Sequence, residues 1–235
     1  MDASYDFEES VVLVTGVSGA LGSAVAAAFD DCGATVCGAD VVAPTEEDAL
    51  VEPGTVEFYE TDATDEDSVA ETVETIVDEH GRLDALCNVA GTWRGGDPIH
   101  ETDVSEFELL FDVNLKSMFL TSKHAIPHLR ETEGAIVSVS ARSSLEGGEG
   151  DGPYRASKAG VRLLTETIAE ENLGTVRANA VMPSVIDTPM NREMMPDADH
   201  DEWVDPADIA DVVLFLCTGQ AGVTSGAAVP VYGEA

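Results

Sequence analysis

The stretch VVLVTGVSGALG, residues 11–22, constrains this chain more than any other. VVLVTG (11–16) has the pattern of a short buried strand, and a helical stretch over 20–31 follows it at once. Between them stand Gly16, Gly19 and Gly22. In a strand–turn–helix unit, the first glycine permits the tight turn. The second lets a ligand approach the backbone, and the third lets helix and strand pack closely. The helix N-terminus then presents unpaired N–H groups and a partial positive charge, which suits a pyrophosphate.

The same alternation runs through the whole chain. Strands are expected at 34–40, 55–62, 83–91, 134–141, 175–183 and 227–233. Helices are expected at 65–80, 103–130, 152–172 and 206–218. The strands are continuous Val/Ile/Leu runs bounded by Gly and Asp, the pattern of a parallel sheet covered on both faces. The fold class expected is α/β: one doubly wound, Rossmann-type parallel sheet of seven strands, forming a single domain over 1–235. Residues 184–205 are the one long irregular stretch, and their Met, Trp and Ile content predicts a substrate lid that packs on something.

Asp40 ends the second strand, eighteen residues after Gly22. A carboxylate there accepts hydrogen bonds from adenosine ribose hydroxyls and repels a 2′-phosphate. No Arg or Lys lies in the surrounding GADVVAPTEED, so NAD(H) is expected over NADP(H). Asp62 ends the third strand, where an adenine would lie. Tyr154 and Lys158 stand four apart at the start of a helix and share a face. An ammonium beside the phenol, together with a nicotinamide cation, would stabilise the phenolate and let Tyr154 shuttle a proton while hydride moves.

These pieces resemble the short-chain dehydrogenase/reductase family. They occur in its order: TGVSGALG, Asp40, Asp62, NVAG (88–91), DVNLKS (112–117), Tyr154-x-x-x-Lys158 and NAVMPSVIDTPM (179–190). The resemblance implies that Gly16, Ser18, Gly19, Ala20, Leu21, Gly22, Asp40, Asp62 and Ala63 hold the adenosine and pyrophosphate. It places Asn88, Ala90 and Gly91 beside them, and Pro183, Val185, Ile186 and Thr188 at the nicotinamide end. Lys158 would also hold the nicotinamide ribose, and Asn114 would order a water in a proton relay. A homodimer or homotetramer through 103–130 and 152–172 is implied as well.

Two positions depart from the family pattern: Ala141 stands where a serine usually polarises the substrate oxygen, and Pro183 is followed by Ser184 instead of glycine. Continued strand alternation would turn Ser140 away from Tyr154 and bring Ser143 to its side, making Ser143 the candidate hydroxyl. The alternative is that no serine is needed. Dihydropteridine reductase is a family member without it, and ARSSLEGGEG, AGTWRGG and DTPMNREMMPDADHDEW resemble segments of that enzyme. The reading is an oxidoreductase acting on a small carbonyl or alcohol. The rivals are a quinonoid dihydropteridine reductase and a nucleotide sensor that binds NAD without turnover.

Charge narrows the setting. The chain carries 46 Asp+Glu against 11 Lys+Arg, a net charge of −35 spread along its length. Such a surface repels itself until salt screens it, within roughly 3 Å at 1 M. This is the composition of a halophile's cytoplasmic protein, and it disfavours nucleic-acid binding, which needs a basic face. No apolar run approaches the ~20 residues that span a bilayer, and the acidic MDASYDFEES start is not a signal sequence. The four cysteines form no C-x-x-C pair and have no histidine at ligand spacing, so no zinc site or disulfide framework is expected. All five histidines are read as structural or exposed. Trp93 and Arg94 could face a substrate or pack at its rim, and Met190, Met194 and Met195 are expected to pack the lid.

Overall fold

The computed structural model describes residues 5–44 and 55–234. The acidic end of the Asp40 neighbourhood, beyond residue 44, lies outside them. Strands β1 (Val11–Thr15), β2 (Thr35–Asp40), β3 (Val56–Glu60), β4 (Ala85–Asn88), β5 (Ala135–Val139), β6 (Arg177–Pro183) and β7 (Ala228–Val231) form one sheet. All its pairings are parallel and its order is β3-β2-β1-β4-β5-β6-β7. The expected doubly wound α/β fold is therefore the observed one.

Strand periodicity explains the two layers. Val12 and Val14 point to one face, where α1 (Ala20–Asp30) and α7 (Pro206–Cys217) cover them with Val25, Phe29, Ile209 and Val213. Val11 and Leu13 point to the other. There α2 (Glu66–His80), α4 (Ser117–Thr132) and α5 (Gly152–Glu171) supply Val73, Ile76, Leu129, Val161 and Ile168. The expected 103–130 helix is α3 (Val104–Phe111) and α4 joined by a π-helical turn at Asp112–Lys116, whose Ser117 N–H reaches back five residues to Asp112 O.

The chain winds outward from β1 to β3, then crosses back to β4 on the other side of β1. Ligands of such sheets sit beyond the carboxyl ends of the strands at this reversal. Thr15, at the end of β1, fastens the crevice by accepting Val89 N–H at 3.1 Å and Ala90 N–H at 3.2 Å.

Residues 184–205 are less irregular than the sequence suggests. They hold a bridge between Ile186 and Val204, the short α6 (Pro189–Met194) capped by Thr188, and a helical turn at His200–Glu202. Asp187 pairs with Arg192 at 2.5 Å, and Asn191 Nδ2 donates to Ile186 O at 2.8 Å. The expected packing by methionines is corrected: α6 buries no residue, and Met190, Met194 and Met195 are exposed. Ile186 and Val204 pack against the core at the segment's two ends, and polar bonds hold α6 between them with the methionines in solvent. Among the described residues no helix is long and apolar enough to cross a membrane.

Candidate active site

Gly16 takes φ +71°, and a Cβ there would lie 2.8 Å from Ala90 N and Cα. A Cβ on Gly22 would lie 2.0 Å from Gly16 O. The first and third glycines thus seat the turn on β4 and α1 on the turn. Gly19 meets only ordinary contact, 3.5 Å from Gly16 O. It caps α1 without any side-chain hydrogen bond, and the first turn carries no acidic residue. The N–H groups of that turn are left for a ligand, which fits an anionic pyrophosphate over Ser18–Gly22.

Asp40 is fixed from two sides: Ser18 N–H donates to Oδ2 at 3.1 Å and Val41 N–H to Oδ1 at 2.8 Å. Ser18 Oγ donates to Val42 O at 2.6 Å, closing the β2 exit on the glycine loop. Asp62, after β3, is exposed beside half-buried Ala63. The Thr64 hydroxyl and N–H bond Asp62 and hold its carboxyl below the ordinary range. Asn88 is buried; Nδ2 donates to Ser122 Oγ and Ser138 Oγ, each at 3.2 Å, and Oδ1 accepts from Thr121 Oγ1. It pins β4 to β5 and α4.

The chemical half converges on Gly91. A Cβ there would lie 3.0 Å from Lys158 Nζ and 3.1 Å from Asn114 Oδ1. The π-helical turn carries Asn114, which is buried and bonded through both side-chain polar atoms. Its Oδ1 accepts Thr92 N–H at 2.7 Å, and its Nδ2 donates to Thr92 O and Ser157 Oγ, both at 3.0 Å. Its side chain therefore holds the β4 exit in place. Lys158 is buried and donates to Val139 O at 2.9 Å. Burial brings its ammonium down to about 8.

Tyr154 is half-buried near the start of α5. Burial, aided by the Asp151 carboxylate and opposed by Arg155, pushes the phenol up to about 12. Lys158 Nζ, one helical turn on, is turned to the Val139 carbonyl.

Strand alternation fails where it was needed. β5 ends at Val139, and Arg142–Leu145 form a 3₁₀ turn closed by Ser144 N–H to Ala141 O at 3.0 Å. Ser140 is out of reach for a different reason from the one expected: it is buried, donates to Lys158 O at 2.8 Å and lies 3.2 Å from Ser144 Oγ, from which it can accept. Ser143 is half-buried on the turn.

Arg155, which the sequence reading passed over, anchors that turn. Nε pairs with Asp151 Oδ1 at 2.5 Å, and Nη1 donates to Ser143 O and Glu146 O at 3.3 and 3.2 Å. Gly148 lies flat on the guanidinium, where a Cβ would come within 2.2 Å of Cζ. The signal was an Asp–Arg pair four apart at a helix start. Opposite, Gly96 N–H donates to Gly150 O at 2.7 Å, docking the Trp93 loop on this one. Trp93 and Arg94 are exposed at the rim, and Arg94 bonds Trp93 O.

At the far wall, Pro183 ends β6. Ser184, in place of the family's glycine, donates to Tyr232 O at 2.7 Å and ties the exits of β6 and β7. Val185, Ile186 and Thr188 follow, half-buried.

A glycine loop at the sheet reversal, flanked by a tyrosine–lysine helix, is the arrangement of a nicotinamide-dependent oxidoreductase fold. Comparison with known proteins agrees. A family model described as enoyl-(acyl carrier protein) reductase matches residues 16–233. The 3-oxoacyl-(acyl-carrier-protein) reductase FabG of Thermotoga maritima is 33% identical, covering 96% of this chain and 97% of that one. The ligand-free aldohexose dehydrogenase of Thermoplasma acidophilum superposes with a TM-score of 0.88 at 28% identity, over 97% of this chain and 94% of that one. ElxO with NADP bound gives 0.88 at 26%, over 95% and 97%. The chain belongs to the short-chain dehydrogenase/reductase family.

Proposed function

We propose that the chain is an NAD(H)-dependent oxidoreductase that interconverts a small carbonyl compound and its alcohol. One observation carries the cofactor choice: the Asp40 carboxylate is locked at the mouth of the glycine loop, and no Lys or Arg occurs in the sequence before Arg82. A 2′-phosphate would meet a fixed negative charge with no Lys or Arg among its sequence neighbours. The NADP-bound relative makes this a choice to be tested within the family.

In this reading the bound nicotinamide supplies the hydride. Gly16–Gly22 receive the pyrophosphate on the free N–H groups of α1, Asp40 receives the ribose hydroxyls, and Asp62 and Ala63 border the adenine. Asn88, Ala90 and Gly91 form the floor; Pro183, Val185, Ile186 and Thr188 close the nicotinamide end. Tyr154, protonated at neutral pH, donates its phenol proton to the carbonyl oxygen during reduction and recovers it in the reverse direction. Lys158, released from Val139 O, holds the ribose and steadies the phenolate. Ser143 supplies the hydrogen bond to the substrate oxygen that Ala141 cannot. Residues 184–205 close as a lid, turning the exposed methionines of α6 onto the substrate.

The assembly is proposed to be a homodimer or homotetramer through α3, α4 and α5, where Phe107, Leu109, Phe119 and Leu163 are exposed. The charge supports a cytoplasmic protein adapted to high salt. A melting temperature that climbs between 0.1 M and 3 M KCl is expected; an unchanged one refutes the adaptation.

The deciding experiment is a panel of small ketones, aldehydes and quinonoid dihydropterin, run with NADH and NADPH in multimolar KCl. Turnover of carbonyls with a higher kcat/KM for NADH is the expected result. Turnover of dihydropterin alone would establish the pterin reading, and cofactor binding without turnover would establish a sensor.

A further inference from the structure

On the α2 face of the sheet, away from the crevice, three side chains from distant parts of the sequence meet. Cys37 and Glu57 are register partners on β2 and β3, so both leave the sheet on the same side. His80, the last residue of α2, reaches the same point. Cys37 Sγ, a Glu57 carboxylate oxygen and a His80 ring nitrogen all lie within 4.8 Å of one another.

The contact between His80 and Glu57 is informative. Nε2 lies 3.0 Å from Oε2, yet this buried nitrogen makes no hydrogen bond, so the ring is not aimed at the oxygen. Two donor atoms side by side at that distance suit two ligands of one ion. With metal–nitrogen and metal–oxygen bonds of about 2.0–2.2 Å, they subtend roughly 90–95° at the metal, and opening by a few tenths of an ångström makes the angle tetrahedral.

The surroundings complete the case. Tyr59 Oη donates to Glu79 Oε2 at 2.7 Å and lies 3.4 Å from Glu57 Oε2, so one phenol proton serves two carboxylates. The nearest cation along the chain, Arg82, is paired with Asp84 at 2.7 Å. The cluster has negative charge, a soft sulfur and an imidazole nitrogen that makes no hydrogen bond, and among the described residues no Lys or Arg pairs with Glu57 or Glu79.

We propose that Cys37, Glu57 and His80 bind a divalent cation of the zinc class, with water in the fourth position. A thiolate, an imidazole and one carboxylate select zinc or cobalt(II) over magnesium or calcium. On binding, the S–H bond of Cys37 breaks, the metal–sulfur bond forms and the proton leaves to solvent. The Tyr59–Glu79 pair orients the ligand carboxylate from behind. The ion then staples edge strand β3 and the end of α2 to β2, three residues before Asp40.

The test is titration of the chelator-stripped protein with CoCl2 in multimolar KCl. One equivalent should bind, with a sulfur-to-cobalt charge-transfer band in the near ultraviolet and intense visible bands of a four-coordinate ion. Cys37→Ala should lose the charge-transfer band, and His80→Gln should weaken binding at least tenfold. Zinc should raise the melting temperature of the wild type and leave that of Cys37→Ala unchanged, while Cys37→Ala keeps oxidoreductase turnover. Binding without a thiolate band, or an unchanged band in Cys37→Ala, overturns the proposal. It would put the metal on surface carboxylates or another cysteine. Should Cys37→Ala fail to fold, the wild-type spectrum and weakened binding by Glu57→Gln decide alone.

Discussion

Around β1, β2 and β4 the crevice is braced before any ligand arrives: Asp40 by Ser18 and Val41, Asn88 by three hydroxyls, Val89 and Ala90 by Thr15. Around β5 and β6 the walls are turns and a short helix. Ser143 sits on a 3₁₀ turn tied down by one arginine, and α6 and the residue after it leave three methionines in solvent. The first region is built for one invariant shape. The second can be refashioned without disturbing the sheet, which is where a family sharing one cofactor scaffold varies its substrates. Breaking each region should therefore give different kinetic signatures.

The largest effect belongs at the junction of the two. Tyr154→Phe removes the proton donor and should lower kcat by ~10²–10⁴, with NADH affinity changed less than twofold by fluorescence titration. The pH dependence sharpens this. Lys158 is held down to about 8 and Tyr154 up to about 12. The ammonium is lost as pH rises through about 8, while the phenol keeps its proton. Reductive kcat/KM should therefore fall above pH 8 with a single ionisation, and Lys158→Met should abolish that limb along with most turnover.

Ser143→Ala tests the pliable side. One donor to a developing oxyanion is worth ~10²–10³ in kcat. A loss of that size, with Ser140→Ala leaving the profile's shape intact, identifies Ser143 as the donor. A neutral Ser143→Ala together with a gain from Ala141→Ser on simple ketones would show the role vacant and strengthen the pterin reading.

Asp40→Ala tests the braced side, where a change should read out in cofactor choice. The NADH/NADPH ratio of kcat/KM should drop by about tenfold or more, the scale of one charge–charge contact near a protein surface. An unchanged ratio would mean that Asp40 only props the loop through Ser18.

The braced region was legible because its signals are local. Val-rich runs predict buried strands, Gly16 and Gly22 stand where only glycine fits, and Tyr154 and Lys158 share a helix face at i and i+4. The pliable region was not, because its structure comes from bonds between segments. No period announces that β5 stops at Val139, since Ala141 and Ser143 continue the alternation; the Ser144–Ala141 bond and the Arg155 clamp end it. The expectation of a methionine-packed lid failed similarly: composition shows apolar side chains but not which way they point. The Cys37–Glu57–His80 cluster escaped because its members are twenty and twenty-three residues apart and meet only through strand register and the length of α2.

Arg155→Ala is the smallest and most discriminating perturbation. The guanidinium touches neither the glycine loop nor Asn88; its partners are Asp151, Ser143 O and Glu146 O. Removing it frees the turn that carries Ser143 and leaves the braced side unchanged. It also withdraws the positive charge that counters Asp151 at Tyr154, which moves the phenol further up. We expect kcat to fall by about three- to tenfold, KM for the carbonyl to rise, and NADH affinity to stay constant, because a loosened donor costs alignment and not binding of the cofactor. Arg155→Lys should restore charge but only part of the rate, since an ammonium cannot reach Asp151 and two carbonyls with a planar fork. Equal losses in carbonyl and NADH affinity would show that the two sides of the crevice are mechanically one body, and the contrast between them would fall.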